Sequence, residues 1–346
     1  MPTFEDKLEG YYAAHPRALP WREQPSPYHV LLSEVMLQQT RIEGVKEHYR
    51  RFLRRFPDVE SLARSQEDEV LKLWEGLGYY RRAQNLRKAA IAISERFPRR
   101  FPASKEELLS LPGVGDYTAS AIAAIAFHQK EIAIDGNLLR LFARLTSYPF
   151  DIASPQARRD CHAFFAARQK RSDPAVFNQA LMDLGELVCL PHGSPRCPNC
   201  PFAASCLAHK QKLETSFPIV AKKKEKKHKK MTVFLFLKEG KVGISKRPAS
   251  GLLANLYGFP MEEGHFSLAA LSAHLALKGI EVLQVHPPIY KSHVFTHLIW
   301  EMEGYPIEVA EAPVTFVGAA ERKQGYSLPS AFAGFEEELL RAKLLR

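Results

Sequence analysis

Hydrophobic positions in residues 1–208 recur at the spacing of amphipathic helices, and proline, glycine or polar breaks separate the repeats. The pattern predicts helices at 28–38, 43–56, 67–75, 81–95, 104–110, 116–127, 136–146, 155–169 and 174–188. We therefore expect residues 1–208 to form an all-α domain.

The pattern changes after residue 230. MTVFLFLKEGKVGISKRP predicts two strands joined by a turn at Glu239–Gly240. LAALSAHLALKG predicts a short amphipathic helix, and SHVFTHLIWEMEGYPIEV returns to strand patterning. Residues 231–346 are therefore predicted to form an α+β domain, so the expected fold class is multidomain.

Length and charge refine this division. A chain of 346 residues exceeds most single cores, so two domains are expected. The net charge is +10, and residues 209–230 alone contribute +7 of it. That segment has no apolar periodicity and predicts a basic linker between the domains. Because the excess charge sits in one short run, it is weak evidence for a nucleic-acid partner.

The chain shows no apolar run of membrane-spanning length, so no membrane partner is expected. MPTFEDKLEG is too polar for a secretory signal, and we expect a cytoplasmic protein. Disulfides are uncommon in that compartment.

Four of the five cysteines fall within CLPHGSPRCPNCPFAASC: Cys189, Cys197, Cys200 and Cys206. Four thiolates in one loop predict a metal centre, either zinc or an iron–sulfur cluster. Zinc ribbons usually join two separate CxxC pairs, whereas this loop has one such pair with an outlying cysteine on each side. The spacing therefore favours a cluster.

LPGVGDYTAS predicts a tight turn between two helices. Gly113 and Gly115, on either side of Val114, give the turn conformational freedom and allow close approach of another backbone. The following helix presents free N–H groups and the positive end of its dipole, which suit a phosphate of any sequence. The alternative is a plain helix–turn–helix connection, which has the same sequence pattern.

Two carboxylates are candidates for acid–base chemistry. Glu34 lies at helical spacing from Val30, Leu31 and Leu37, which puts it on an apolar face where burial would raise its pKa. The alternative is an edge glutamate paired with an arginine. Asp135 precedes a helix and suits an N-cap, a carboxylate facing a developing cation, or both. A raised-pKa acid with an ionised carboxylate is the pair that glycosidic cleavage requires.

LPWR, SEVMLQQT, GLGYYRRAQNL, LPGVGDYTAS, DGNLLR, FNQALMDLG and the cysteine loop, in this order over residues 20–206, resemble the MutY family of adenine DNA glycosylases. That family belongs to the helix-hairpin-helix, endonuclease III-like superfamily. GLLANLYGFP and HVFTH resemble its C-terminal Nudix (MutT-like) domain more loosely. The resemblance implies a [4Fe-4S] cluster on the four cysteines and a monomer acting on double-stranded DNA with A:8-oxoguanine or A:G mispairs.

The resemblance also implies roles for particular residues. Glu34 would protonate N7 of adenine, Asp135 would stabilise the sugar cation, and Asn137 and Tyr117 would lie beside Asp135. Further roles would fall to Arg22 and Gln179 in the adenine pocket, to Gln39, Leu77 and Tyr79 around the opposing base, and to Phe295, Thr296 and His297 in reading 8-oxoguanine. Extruding a base from a duplex costs a few kcal/mol, which gives such stack-filling residues a physical purpose.

Tyr117 stands where strand-cutting members of the superfamily have a lysine that attacks the sugar. A phenol with a pKa of about 10 cannot form that Schiff base, so the chain is predicted to remove the base and leave the strand uncut. Three departures from the family stand out: seven residues instead of six between the first two cysteines, Thr296 in place of serine, and no Glu-rich Nudix pyrophosphatase signature.

Two alternatives remain at this point. One is a thymine or pyrimidine glycosylase of the same superfamily, against which SEVMLQQT and the C-terminal domain argue. The other is a DNA-binding or redox-sensing module that carries a cluster without catalysis. The presence of both Glu34 and Asp135 argues against it.

Overall fold

The computed structural model describes residues 2–98, 100–221 and 225–346. It divides into two compact units. The helical unit comprises Met1–Arg64 and Asn85–Lys222, and the mixed unit comprises Ser65–Gln84 and Lys223–Arg346. No helix in the described ranges is both long and apolar enough to cross a membrane.

The helices match the predicted pattern closely. Their bounds are α1 Phe4–Ala14, α2 Pro20–Glu23, α3 Pro27–Leu37, α4 Ile42–Arg55, α5 Val59–Ala63, α6 Glu67–Leu73, α7 Arg81–Arg96, α8 Lys105–Leu109, α9 Asp116–Phe127, α10 Gly136–Thr146, α11 Pro155–Ala166, α12 Pro174–Leu187, α13 Leu207–Lys210, α14 Leu268–Leu277, α15 Ala319–Gly325 and α16 Ser330–Arg341. All nine predicted helices of residues 1–208 are confirmed, whereas α1, α2, α5 and α13 were not predicted.

The helical unit is built around α9. Its sequence DYTASAIAAIAF is small and apolar on every side, and the residues from Thr118 to Ile125 are all buried. Helices α3, α8 and α12 pack directly against it. Because small side chains let neighbouring backbones approach closely, α9 brings the helices that carry the polar site residues together.

The strands of the mixed unit are β1 Lys227–Lys238, β2 Lys241–Lys246, β3 Tyr257–Gly258, β4 Met261–Glu263, β5 Val282–Val285, β6 Ile289–Val294, β7 Leu298–Val309 and β8 Thr315–Val317. They form a mixed sheet with the path β3-β2-β1-β7-β5, in which β1 and β7 run parallel. Strand β4 pairs with β1, β6 with β7, and β8 with β2.

Strand β1 is buried on both faces, which explains its unbroken apolar run. Val233 and Leu235 face a core that contains residues of α16, whereas Phe234 faces a second core with Leu271 of α14. Successive side chains of a strand point to opposite faces, so the run TVFLFL fills two layers at once. The mixed unit is therefore a sheet between helices.

The predicted turn between the first two strands is confirmed. Leu237 pairs with Val242 and Lys238 with Lys241, which leaves Glu239 as the first residue of a two-residue loop. Glu239 and Gly240 both have positive φ, at 52° and 74°. This combination matches the right-handed twist of a hairpin, and glycine adopts it at little cost.

The predicted domain limits of 1–208, 209–230 and 231–346 need two corrections. Residues 65–84 group with the C-terminal part of the chain, although the sequence placed them in the first domain. Strand β1 begins at Lys227, so the end of the predicted linker belongs to the sheet. Lys222, Lys223 and Lys224 of that linker lie outside the described residues.

Candidate active site

An open cleft of about 1410 Å³ in the helical unit gathers most of the residues predicted to carry chemistry. Helices α3 and α12 and the starts of α9 and α10 line it. They contribute Glu34, Gln179, Tyr117 and Asp135 respectively. Residues that are far apart in the sequence therefore meet in one site.

Glu34 is buried in α3. Its exposed fraction is 7%, and Val30 and Leu31 beside it are exposed by 3% and 1%. Burial raises the pKa of Glu34 to about 7, and the charge of Asp135 acts in the same direction, whereas a hydrogen bond with Tyr117 opposes the shift. The prediction of a buried carboxyl with a raised pKa is confirmed, and the edge-glutamate alternative is wrong.

Asp135 is the N-cap of α10, as predicted. Its carboxylate accepts hydrogen bonds from the Leu138 backbone N–H at 2.8 Å and from Asn137 Nδ2 at 2.7 Å. Burial raises the pKa of Asp135, and these donors act against that rise because they favour the charged form. The site thus contains two carboxyls, and Asp135 has the donors that stabilise a negative charge.

Asn137 is held in place from the side opposite Asp135. Arg140 donates to Asn137 Oδ1 at 2.9 Å, to the Gly185 carbonyl at 2.6 Å and to the Cys189 carbonyl at 2.7 Å. A Cβ on Gly185 would lie 2.8 Å from Cβ of Asn137, so α12 and the start of α10 approach as closely as a glycine allows. These contacts fix Asn137 and, through its amide, the carboxylate of Asp135.

Tyr117 lies in the first turn of α9 and forms a hydrogen bond with Glu34. Burial, together with the charges of Glu34 and Asp135, raises the pKa of Tyr117 well above its ordinary value. The phenol is therefore neutral at physiological pH and is not an amine-like nucleophile. Tyr117 is thus a neutral polar group that interacts with both carboxyls.

Arg22 and Gln179 both line the cleft, as the adenine-pocket prediction requires. Asp183 of α12 accepts two hydrogen bonds from Arg22, at 2.7 Å and 2.9 Å, and a third from Arg17 at 2.7 Å. The Tyr12 hydroxyl donates to Gln179 Oε1 at 2.9 Å. Both predicted residues thus belong to a hydrogen-bonded network with limited freedom to move.

The helix–turn–helix at residues 105–127 supports the phosphate-site prediction in part. Gly113 has a φ of 76°, and a Cβ there would lie 2.5 Å from Asn85. Val114 between the glycines is 7% exposed and anchors the turn. Within the described residues, no side chain caps α9 after Gly115, so its first N–H groups have no capping oxygen there. This is the arrangement that binds phosphate oxygens.

One expectation for this turn is wrong. Gly115 has a φ of −95° and a ψ of 179°, an extended conformation that any residue adopts. A Cβ at this position would meet nothing within 4 Å. The protein fold therefore does not require glycine there, and only the close approach of another molecule remains as a reason for it.

Gln39, Leu77 and Tyr79 do not belong to one unit. Gln39 lines the cleft of the helical unit with a φ of 55°, in the left-handed region that is unfavourable for a residue with a side chain. Leu77 and Tyr79 lie in the mixed unit on the turn that follows α6. Leu77 is 7% exposed and Tyr79 is 48% exposed, so Tyr79 is the accessible one of this pair.

Residues 295–297 form the connection between β6 and β7. The strand patterning expected through SHVFTHLIWEMEGYPIEV is therefore interrupted at residues 295–297. Phe295 packs edge-on against Trp300, with ring centroids 4.8 Å apart, and against His293 at 4.5 Å. Thr296 and His297 are exposed. The connection thus presents two polar side chains and anchors the aromatic one.

Cys189, Cys197, Cys200 and Cys206 line one small cavity, and all four are free thiols. Burial raises the pKa of Cys200 to about 12, and the neighbouring thiols add to this shift. Cys189 and Cys206 are buried, and Cys197 and Cys200 are partly buried. Thiolates this close together need a cation to compensate their charge, so the donor set fits a metal centre.

Arg144, His209 and Glu214 also border this cavity. One atom each of Cys197, His209 and Glu214 lies within 4.8 Å of the others, a spacing that a single ion also accepts. Arg144 donates to Cys189 Sγ at 3.3 Å, and its carbonyl lies 3.2 Å from Cys206 Sγ. The geometry alone thus leaves both zinc and a cluster as candidates.

Comparison with known proteins agrees with both parts of the fold. Residues 32–166 match the model of the HhH-GPD superfamily base excision DNA repair protein, and residues 232–335 match that of the NUDIX domain. The adenine DNA glycosylase of Buchnera aphidicola subsp. Schizaphis graminum is 32% identical over 73% of this chain and 73% of its own length. That of Mus musculus is 30% identical over 91% of this chain and 72% of its own length.

The chain belongs to the adenine DNA glycosylase family. It is a DNA glycosylase of base excision repair, with a helix-hairpin-helix domain and a C-terminal Nudix domain. Among solved structures, a thermostable thymine-DNA glycosylase is 26% identical, with a TM-score of 0.55 over 60% of this chain and 95% of its own. An endonuclease III–DNA complex, at 20% identity and a TM-score of 0.51 over 60% and 94%, shares the fold.

For an adenine DNA glycosylase, the most informative residue that the sequence pattern missed is Asp183. It lies four residues after Gln179, on the same side of α12, and this i,i+4 spacing was the available signal. Arg17 and Tyr12 were also missed, because their segments contact α12 only in the folded chain. Asp183 is 2% exposed, so its carboxylate interacts with the two arginines and not with solvent.

We predict that Asp183→Asn slows adenine excision by about 10², because Arg22 loses its bidentate partner and leaves its position in the cleft. The measurement is the single-turnover excision rate on a duplex with a mispaired adenine. Glu186→Gln is the matched control, since Glu186 contacts Arg17 alone among these arginines and is more exposed. Equal losses in both variants would contradict a specific role for Asp183.

Proposed function

We propose that the chain hydrolyses the N-glycosidic bond of adenine mispaired with 8-oxoguanine, or with guanine, in duplex DNA and leaves the strand uncut. The observation that supports this most strongly is that buried Glu34 and partly buried Tyr117 and Asp135 share one cleft. An acid with a pKa of about 7 beside a carboxylate with stabilising donors suits cleavage through an oxocarbenium-like state.

We propose the following reaction for this group of residues. Glu34 transfers its proton to N7 of the extruded adenine, and the electrons of the breaking glycosidic bond move to the base. The positive charge that develops on the sugar faces Asp135, whose negative charge Asn137 and the Leu138 N–H maintain. Water attacks the sugar, and its released proton returns to the ionised Glu34. Arg22 and Gln179 hold the adenine during these steps.

The uncut strand follows from the chemistry of Tyr117. A lysine amine at that place would attack the sugar carbon and form a Schiff base, which leads to strand cleavage. The neutral phenol of Tyr117 is engaged with Glu34 and lacks the nitrogen for that adduct. The product is therefore an abasic site.

In this proposal, binding of the duplex uses several surfaces of the chain. The uncapped start of α9 after the turn at Gly113 accepts a backbone phosphate. Gln39, Leu77 and Tyr79 fill the space around the base opposite the adenine. Of these, Leu77 has to leave its buried position if it enters the stack.

Recognition of 8-oxoguanine falls to the connection at 295–297. Adenine is a normal base, so its removal is safe only when a second surface reads the damaged partner. Thr296 and His297 are exposed donors and acceptors on this connection, whereas Phe295 is packed against Trp300 and serves as their anchor. The two polar residues are therefore the readers we propose.

The four cysteines hold a [4Fe-4S] cluster in this proposal. The single-loop spacing supports the cluster over zinc, and the four free thiols around one cavity supply its ligands. Such a group would fix the loop at 189–206 and compensate part of the negative charge of its thiolates. Arg140 contacts the Cys189 carbonyl and Asn137, so an ordered loop also steadies the side of the active site.

We predict that Glu34→Gln binds the duplex but loses excision, because an amide cannot act as the acid. In the wild type the rate falls as pH rises through about 7, since the protonated form of Glu34 is the active one. The measurement is excision from A:8-oxoguanine duplexes between pH 5.5 and 9 with and without alkali, with thymine opposite guanine as the control substrate. Near-normal excision by Glu34→Gln would refute the assigned chemistry.

The same experiment tests the uncut strand. Wild type should yield cut strands only after alkali, and borohydride should trap no covalent complex. Tyr117→Lys should give trappable complex if the amine reaches the sugar. Efficient trapping of the wild type would contradict an abasic-site product.

We predict that Thr296→Ala together with His297→Ala leaves excision from A:G pairs nearly unchanged and slows excision from A:8-oxoguanine pairs about tenfold, the effect of about 1.4 kcal/mol of lost contacts. Lys291→Ala, which changes β6 of the same unit, is the control. Full preference for 8-oxoguanine in the double variant would assign partner recognition to other residues.

We predict that protein purified without oxygen is brown and contains about four iron and four sulfide per chain. Cys200→Ser should lose the colour and the iron, whereas Cys161→Ser should keep both, since Cys161 is buried in the core away from the loop cavity. A colourless, active protein with one zinc per chain would overturn the cluster assignment.

A further inference from the structure

Residues 65–84 pack with the C-terminal part of the chain rather than with the helices that precede and follow them. The segment consists of α6, a turn that contains Leu77 and Tyr79, and the start of α7. Gly76 and Gly78 adopt positive φ, at 98° and 69°, at little cost, whereas the φ of 49° at Tyr79 is unfavourable for a residue with a side chain. Contacts to the turn therefore have to offset this cost.

Glu75, which directly precedes the turn, is the main contact to the rest of the mixed unit. Its Oε1 accepts from Arg322 at 2.9 Å and from the Leu328 backbone N–H at 3.1 Å. Its Oε2 accepts from Lys72 at 2.6 Å, and Lys72 also donates to the Tyr326 carbonyl at 3.0 Å. One carboxylate thus joins the turn to the segment around α15.

Arg322 is the other half of this contact. It donates to both oxygens of Glu336 on α16, at 2.8 Å and 2.6 Å, as well as to Glu75. Arg322 is 8% exposed and Glu336 is 7% exposed. Arg322 and Lys72 are the two cations of this group, and Glu75 and Glu336 are its two carboxylates. Their charges therefore balance inside a low-dielectric site.

A second contact lies at the other end of the segment. Glu67 at the start of α6 accepts from Asn255 at 2.9 Å and from Gln84 at 2.9 Å, and Gln84 donates to the Ala254 carbonyl at 3.2 Å. The segment is therefore fixed to the C-terminal domain before and after the turn. Inside the turn, Trp74 Nε1 donates to the Gly78 carbonyl at 3.1 Å.

We infer that the C-terminal domain positions the turn at residues 76–79 through Arg322 and Glu75. Arg322 is a positioning residue in this account, because it contacts the support of the turn and not the DNA. The inference rests on the proposed function in one respect: Leu77 and Tyr79 meet the duplex near the base that residues 295–297 read. Partner-base recognition and filling of the stack then depend on one compact unit.

Two variants test this in the full chain. Glu75→Gln removes the charge from the segment and leaves the Arg322–Glu336 pair intact, and Arg322→Met removes the shared cation. Asp68→Asn is the matched control, because the Asp68–Lys246 pair joins the same segment to the same domain but is exposed by 45% and 44%. Exposed pairs contribute little, so this control should behave as the wild type.

The first measurement is hydrogen–deuterium exchange without DNA. We expect the amides of residues 76–80 to exchange at least about tenfold faster in Glu75→Gln, with residues 113–127 of the helical unit unchanged. Arg322→Met should show the same change if it folds. Unchanged exchange at 76–80 in Glu75→Gln overturns the inference.

The second measurement is the ratio of single-turnover excision rates on A:8-oxoguanine and A:G duplexes. We expect this ratio to fall in Glu75→Gln and to stay at the wild-type value in Asp68→Asn. Faster exchange with an unchanged ratio overturns the coupling to the partner base. A wild-type ratio near one would contradict the proposed function instead, and the exchange result would still decide whether Arg322 and Glu75 hold the turn.

Discussion

Two carboxyls in one cleft are the constraint on which the active site depends, with Glu34 buried and Asp135 partly buried. Burial raises the pKa of both, and the charge of Asp135 makes the charged state of Glu34 still less favourable. The two carboxyls differ in their hydrogen-bond donors, and this difference decides which of them carries the charge. Asp135 has a backbone N–H and an amide as donors, whereas Glu34 has the phenol of Tyr117 and apolar neighbours. One proton is therefore best placed on Glu34, where an acid is needed, and the negative charge on Asp135, where a cation forms.

The packing of the helices maintains this difference between the two carboxyls. Small residues of α9 allow α3 and α12 to approach, and Gly185 allows α12 to contact the start of α10. Arg140 then links Asn137 to the loop that carries the cysteines. The raised pKa of Glu34 also has a cost. The folded chain holds a proton that the unfolded chain releases at about its ordinary pKa of 4.5, so the contribution of this group to stability falls as pH rises from about 4.5 through about 7.

Much of this could be predicted from the sequence because the features are local. Helical periodicity located α3 and α9–α12, the spacing of Glu34 predicted its burial, and Asp135 was placed as an N-cap. What depends on long-range contacts could not be predicted. Asp183 is significant only because Arg17 and Arg22 fold onto it, and the grouping of residues 65–84 with the C-terminal domain rests on pairs such as Arg322–Glu75. The expectation for Gly115 was wrong because a glycine in a turn does not reveal which glycine has positive φ.

The central claim is that Glu34 holds a proton at neutral pH. Infrared difference spectroscopy measures this directly, because a protonated carboxyl has a C=O stretch that a carboxylate lacks. The account predicts a carboxyl band in the wild type that disappears as pH rises through about 7 and that is absent from Glu34→Gln. A band that is lost near the ordinary value of 4.5, or one that is unaffected by Glu34→Gln, would contradict it.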